Sequence, residues 1–185
     1  MTPVKTSRLT LTRPATTLNR RRRRFIQFRS PFNLREENMP YILQHVQGPA
    51  PLPVGERVWG DAPEIDFDAM TSCIALVEET PGQALSVRAI HLSIVSADGT
   101  PVYDPASNVA GQVGAIMQAN GNLRACLGRI DIWQNNASAQ VRNFFVALMQ
   151  QLNILDWVQL PDGNLQARMH NGGIQYRQGG AWVDV

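Results

Sequence analysis

Lysine is almost missing from this chain: Lys5 is the only one among seventeen basic residues, so the positive charge is carried by arginine. Codon bias of a GC-rich genome accounts for that; the sharper reading is avoidance of lysine modification by a protein acting inside another cell. Cysteine is equally scarce. Cys73 and Cys126 are too few for a disulfide framework and lack metal-ligand spacing. His45, His91 and His170 form no HExxH or HxxxH pattern, so no metal site is expected. The chain has neither a Walker loop nor a GxGxxG fingerprint, and no cofactor is expected. No apolar run approaches the ~18 residues of a membrane span, and Met1 to Thr12 lacks the apolar stretch of a secretory signal.

The first thirty-five residues contain no acid. They hold ten of the seventeen basic residues: Lys5, Arg8, Arg13, the run Arg20, Arg21, Arg22, Arg23 and Arg24, then Arg29 and Arg35. From Glu36 onward seven arginines face fifteen carboxylates, so a +10 arm joins a −8 body behind a net charge of only +2. Five adjacent guanidinium groups repel one another unless neutralised, so residues 1–35 read as an extended arm seeking a polyanion or an acidic surface. Arg20 to Arg24 and Arg29 are the expected nucleic-acid or partner contacts. Phe25, Ile26, Phe28 and Phe32 follow the charge run and are expected to dock on a neighbouring subunit.

Residues 36–185 have the size and apolar content of one domain, expected to be α+β. Residues 41–47 suggest a first strand. Pro49, Pro51, Pro53 and Pro63 make 48–64 a proline-rich connector. Strands are expected at 70–77 and 84–95, then a helix near 107–119, a strand over 123–133 and a helix over 138–153. Val141, Phe144, Phe145, Leu148 and Leu152 form the stripe of that last helix. Pro161-Asp162-Gly163, Asn171-Gly172-Gly173 and Gly179-Gly180 divide the tail into four short strands, read as an antiparallel meander. The expected body is thus a twisted antiparallel sheet or sandwich with two helices and a C-terminal β-meander.

A hairpin centred on Gly82 places Cys73 and His91 equally far from its turn. They then face each other on one side of the sheet, with Thr71 opposite Ser93. Ile74, Ile90 and Leu92 point to the other side and read as core. A thiol facing an imidazole is the arrangement nucleophilic catalysis needs, because the base takes the proton that the thiol must lose. Thr71 or Ser93 is available to orient the ring. The segment Thr71-Ser72-Cys73-Ile74-Ala75, then Ala89-Ile90-His91, then the later order of elements resembles the Cys–His glutamine deamidases: the chemotaxis deamidase CheD and the catalytic domain of cytotoxic necrotizing factors. In that pattern a Gly-Ser-Cys segment opens an apolar strand and the histidine lies on a later strand. Helix, strand, helix, strand and a terminal hairpin follow. Thr71 stands here in place of the glycine, and Phe67 in place of a threonine. The resemblance implies Cys73 as nucleophile and His91 as base, acting on the glutamine amide of a protein substrate in the cytoplasm or in a host cell.

The arm leads elsewhere. An Arg-rich, acid-free N-terminus on a β-rich body is the layout of small viral coat proteins, and consecutive arginines suit phosphate contacts. The stretches 163–168, 173–177 and 180–183 resemble terminal β-repeats of phage tail and fibre proteins. The first expectation from the whole sequence is therefore a virion structural protein, located in the virion, binding copies of itself or other virion proteins, with nucleic acid met through residues 1–35. The alternative is the thiol-dependent protein glutamine deamidase.

Overall fold

The computed structural model describes residues 40–83, 85–117 and 123–185. The arm residues Arg20 to Arg24, Arg29, Phe25, Ile26, Phe28 and Phe32 lie outside them. Strands β1 (Gln44–His45), β2 (Leu52–Val54), β3 (Val58–Ala62), β4 (Glu64–Met70), β5 (Ile74–Glu79) and β6 (Val87–Leu92) come first. Helix α1 (Val109–Ile116), β7 (Arg124–Gly128), helices α2 (Ile130–Gln134) and α3 (Ala139–Leu152), and strand β8 (Trp157–Gln159) follow. Strands β9 (Gly163–His170), β10 (Gly173–Arg177) and β11 (Val183–Asp184) end the chain.

These strands make two sheets, one ordered β1-β3-β6-β5-β7-β8 and the other β11-β10-β9-β4-β2. Strand β5 is buried along nearly its whole length, because both of its faces are covered. Ile74, Leu76, Ile90, Leu92 and Cys126 pack against Val113, Trp133, Phe145 and Leu148 of the helices. Cys73, Ala75, Val77, Ala89 and Leu127 pack against Phe67, Leu165 and Ala167 of the second sheet. The layers run helices, sheet, sheet, an α+β arrangement. The small-residue face that contains Cys73 is therefore core as well, its alanines fitting the space between stacked sheets.

Several elements differ from their sequence expectation for local reasons. The proline-rich stretch 48–64 forms β2 and β3, because Pro53 sits exposed on β2, an edge strand that needs no donor there. Strand β4 alternates over its first part, Ile65 and Phe67 inward and Asp66 and Asp68 outward, before its register shifts between Phe67 and Ala69. Strand β7 stops at Gly128, whose φ of 121° breaks the extended run, so 130–134 turns into a third helix. Both sheets are mixed, with parallel pairs β1–β3, β2–β4 and β7–β8. Strand β8 joins the first sheet, leaving β9, β10 and β11 as the antiparallel meander. The β9–β10 turn is the two-residue Asn171-Gly172, both with positive φ, as a tight hairpin requires.

One buried ion network ties the helices to the sheet. Arg124 donates from Nε to Glu78 Oε2 at 2.8 Å, from a second nitrogen to Leu152 O at 2.8 Å, and from a third to Met117 O at 2.9 Å. Arg88 holds Asp61 in a two-pronged contact at 2.8 and 3.1 Å and donates to Ile116 O at 2.6 Å. Both guanidinium groups thus meet the carbonyl end of α1, where positive charge is favoured, and Arg124 also meets that of α3. Glu78 has no exposed surface. Burial pushes its carboxyl upward, and Arg124 then Arg88 pull it back.

Candidate active site

Residues 71–73 cross from β4 of the second sheet to β5 of the first, so Cys73 sits at the seam between sheets. Its backbone is held in sequence. The Trp133 indole donates to Ser72 O at 2.9 Å, and Arg129 N–H donates to Cys73 O at 3.0 Å. The Arg129 side chain reaches Thr71 O at 3.4 Å and pairs with Asp131 and Asp162. Gly128 permits this approach, since a Cβ there would lie 2.7 Å from Cys73 O.

His91 lies on β6, and its cross-strand partner is Ala75 rather than Cys73. The Thr80–Ser86 backbone bond closes a longer loop than a turn centred on Gly82, moving the centre to Gln83 and every partner by two residues. A two-residue shift preserves the face, so Cys73 and His91 still share the inter-sheet side. Neither Thr71 nor Ser93 orients the imidazole. Nδ1 of His91 contacts Val54 O at 3.0 Å, across the gap from β2 of the other sheet. A carbonyl only accepts, so Nδ1 carries the proton and Nε2 is the bare acceptor. Nε2 is buried and has no hydrogen-bond partner among the described residues. Phe67 meets the ring edge-on, centroids 5.8 Å apart, and packs directly on the imidazole. Burial holds the imidazole below its ordinary pKa, with the Val54 contact and the Glu56 and Asp68 charges opposing.

Glu56 completes the cluster. The turn joining β2 to β3 is closed by Val58 N–H to Gly55 O at 3.1 Å, with Arg57 in the left-handed region at φ 62°. That conformation costs an ordinary residue about 1–2 kcal/mol. Arg57 N–H donating to His91 O at 2.8 Å helps hold it. The exposed Glu56 is thereby placed over Cys73, whose thiol donates to Glu56 Oε1 at 3.4 Å. Burial pushes the thiol up to about 12, the Glu56 charge and hydrogen bond add to this, and contacts from Ser72 oppose. Tyr41, fully buried, donates its hydroxyl to Ser93 O and accepts from Ser93 N–H, each at 3.0 Å. Ser93 gives its own hydroxyl to Val95 O at 2.8 Å. A surface cleft of ≈ 220 Å³ opens here, lined by Glu56, Ser72, Ser93, Ile94, Val95 and Ser96. Cys73, hydrogen-bonded to the lining residue Glu56, has no exposed surface.

Sequence reading reached Cys73 and His91. It missed Val54, which acts through a carbonyl; Glu56, which a strained turn delivers; and Tyr41, which pins Ser93. None of these carries a motif. Cys126 is buried with its thiol pushed upward by burial alone, and it faces the helices. Among the described residues no three His, Cys, Asp or Glu side chains group to hold a metal, and no helix is long and apolar enough to cross a membrane. A second groove of ≈ 390 Å³ lies beside the edge strand β8, where Phe145, Val146, Met149, Ile154, Leu155 and Trp157 form an apolar lining. No protein-family model matches the chain, and a comparison with curated proteins finds no match.

Proposed function

We propose that the body is a thiol-dependent amidohydrolase acting on the side-chain amide of glutamine in a polypeptide, with Cys73 as nucleophile and His91 as general base. The observation that carries this reading is Nε2 of His91: a buried acceptor on a ring fixed by Val54, without a partner among the described residues, on the inter-sheet face it shares with Cys73, whose thiol meets the cleft residue Glu56. A buried polar atom left unsatisfied is costly and calls for an explanation; a base awaiting a proton supplies one. The element order after His91 supports it too. Helix α1, strand β7, helices α2 and α3, strand β8, the β9–β10 hairpin and β11 follow; apart from the extra helix α2 and the last strand β11, this is the order of the deamidases the sequence resembles.

The chemistry runs in two halves. Nε2 takes the thiol proton, and the sulfur attacks the amide carbon. The C–N bond breaks as the imidazolium returns its proton to the departing amine, which leaves as ammonia. The resulting thioester is opened by a water that gives its proton to His91, and the proton then restores the thiol, releasing glutamate. Incubation with a glutamine-rich unfolded polypeptide should release ammonia and convert glutamine to glutamate by mass spectrometry. Cys73→Ser should abolish both; ammonia release that survives it would sink the assignment.

The charge split favours a second reading, a virion structural protein whose arm contacts nucleic acid or a neighbouring subunit. The exposed Val146, Leu155 and Trp157 beside β8 offer such a protein an apolar contact surface. Concentration-dependent assembly, measured by light scattering with and without duplex DNA, tests it. A protein that stays monomeric under both conditions argues against it.

A further inference from the structure

We propose that Glu56 is the specificity-determining residue of this site: it selects a carboxamide over a carboxylate and releases the thiol only when an amide takes its place. The inference rests on the amidohydrolase reading above. The geometry behind it is direct. Glu56 Oε1 accepts a hydrogen bond from the Cys73 thiol at 3.4 Å, while Nε2 of His91, the base that must receive the thiol proton, has no partner among the described residues. Glu56 also lines the cleft, and Cys73 has no exposed surface, so a ligand entering there meets Glu56 first.

A carboxylate only accepts hydrogen bonds, and a primary amide presents two N–H donors. A glutamine amide can therefore replace the thiol on Glu56 without leaving the carboxylate unpartnered. The displaced thiol is then free to turn toward Nε2, which coaxes out the proton only when substrate is present. The product carries a carboxylate, which offers no donor and repels Glu56. The same residue that admits the amide thus expels the acid, and a glutamate already in the polypeptide is turned away.

Two alkylating agents that differ in this one group provide the test. Iodoacetamide bears the carboxamide and iodoacetate the carboxylate; both modify Cys73 by losing iodide as the C–S bond forms. Rates on the intact protein, followed by mass spectrometry of the Cys73 peptide, are compared with rates on free cysteine. The iodoacetamide preference of the native protein should exceed that of free cysteine by roughly tenfold or more, the scale of a carboxylate–carboxylate repulsion at this range. Glu56→Gln should bring the ratio down to that of free cysteine, and Glu56→Asp should restore part of it. A native ratio equal to free cysteine's, or one that Glu56→Gln leaves unchanged, overturns the inference. If His91→Asn leaves both rates untouched while the ratio still follows Glu56, the amidohydrolase reading falls and Glu56 remains a selective cover. If neither reagent reaches Cys73 in the folded protein, both fall together.

Discussion

His91→Asn separates the base from its anchor. The amide nitrogen of asparagine occupies roughly the position of Nδ1, so the donation to Val54 O can persist, while nothing replaces Nε2. Loss of the ring's contact with Phe67 leaves a small gap costing about 1–2 kcal/mol, which a urea titration will measure. Activity should fall much further. A positioned general base contributes about 10²–10⁴-fold, or about 3–5 kcal/mol of barrier. The thiol makes the point sharper. Burial pushes the Cys73 thiol up to about 12, so at neutral pH it stays protonated unless a base takes its proton. Iodoacetamide should therefore modify the variant far more slowly than free cysteine, and the rate should climb about tenfold per pH unit. A folded His91→Asn protein that alkylates and hydrolyses as the native one does would show that Nε2 takes no proton and refute the mechanism.

Arg124→Met leaves the buried Glu78 without its closest partner and two helix-terminal carbonyls without a donor. It should cost about 3–5 kcal/mol in urea unfolding, and Glu78→Gln, which removes the carboxylate charge, should cost less than half as much. The depressed pKa of His91 means that the unfolded chain binds a proton that the folded chain refuses. Stability should therefore fall as pH drops below about 6.5 toward the folded value, by at most about 1.4 kcal/mol per pH unit. His91→Asn should flatten that limb in thermal unfolding. If the arm binds duplex DNA through five to seven phosphates, log affinity against log salt should slope about −4 to −6. Replacing Arg20 to Arg24 by alanine should flatten it without regard to base sequence.

What the sequence made legible was local. Asn171-Gly172 announces its hairpin because only a two-residue turn with positive φ uses that pair. Helix α3 is legible in the stripe from Val141 to Leu152. The shared face of Cys73 and His91 survives an error of two residues in register, because side chains alternate with a period of two. What escaped was decided at a distance. Pro53 is harmless only because β2 lies at an edge. Strand β8 leaves the meander because β7, well before it in the chain, offers it a parallel partner. The Val54 carbonyl and Glu56 belong to the site only once two sheets have stacked, and no spacing in the chain encodes that meeting.

The bond from His91 on β6 to Val54 on β2 joins the two sheets across their interface. Neither sheet alone orients the imidazole, and Cys73 lies on the segment that passes between them. On the proposed amidohydrolase reading, competence is a property of the closed sandwich, and it arrives only after contacts separated by dozens of residues have formed, among the slower events of folding. On that reading a newly made chain carries an inert thiol until the last layer seats. Turnover becomes a clock for that closure: in a refolding experiment, ammonia release should lag behind the recovery of helix signal by the time the second sheet takes to dock.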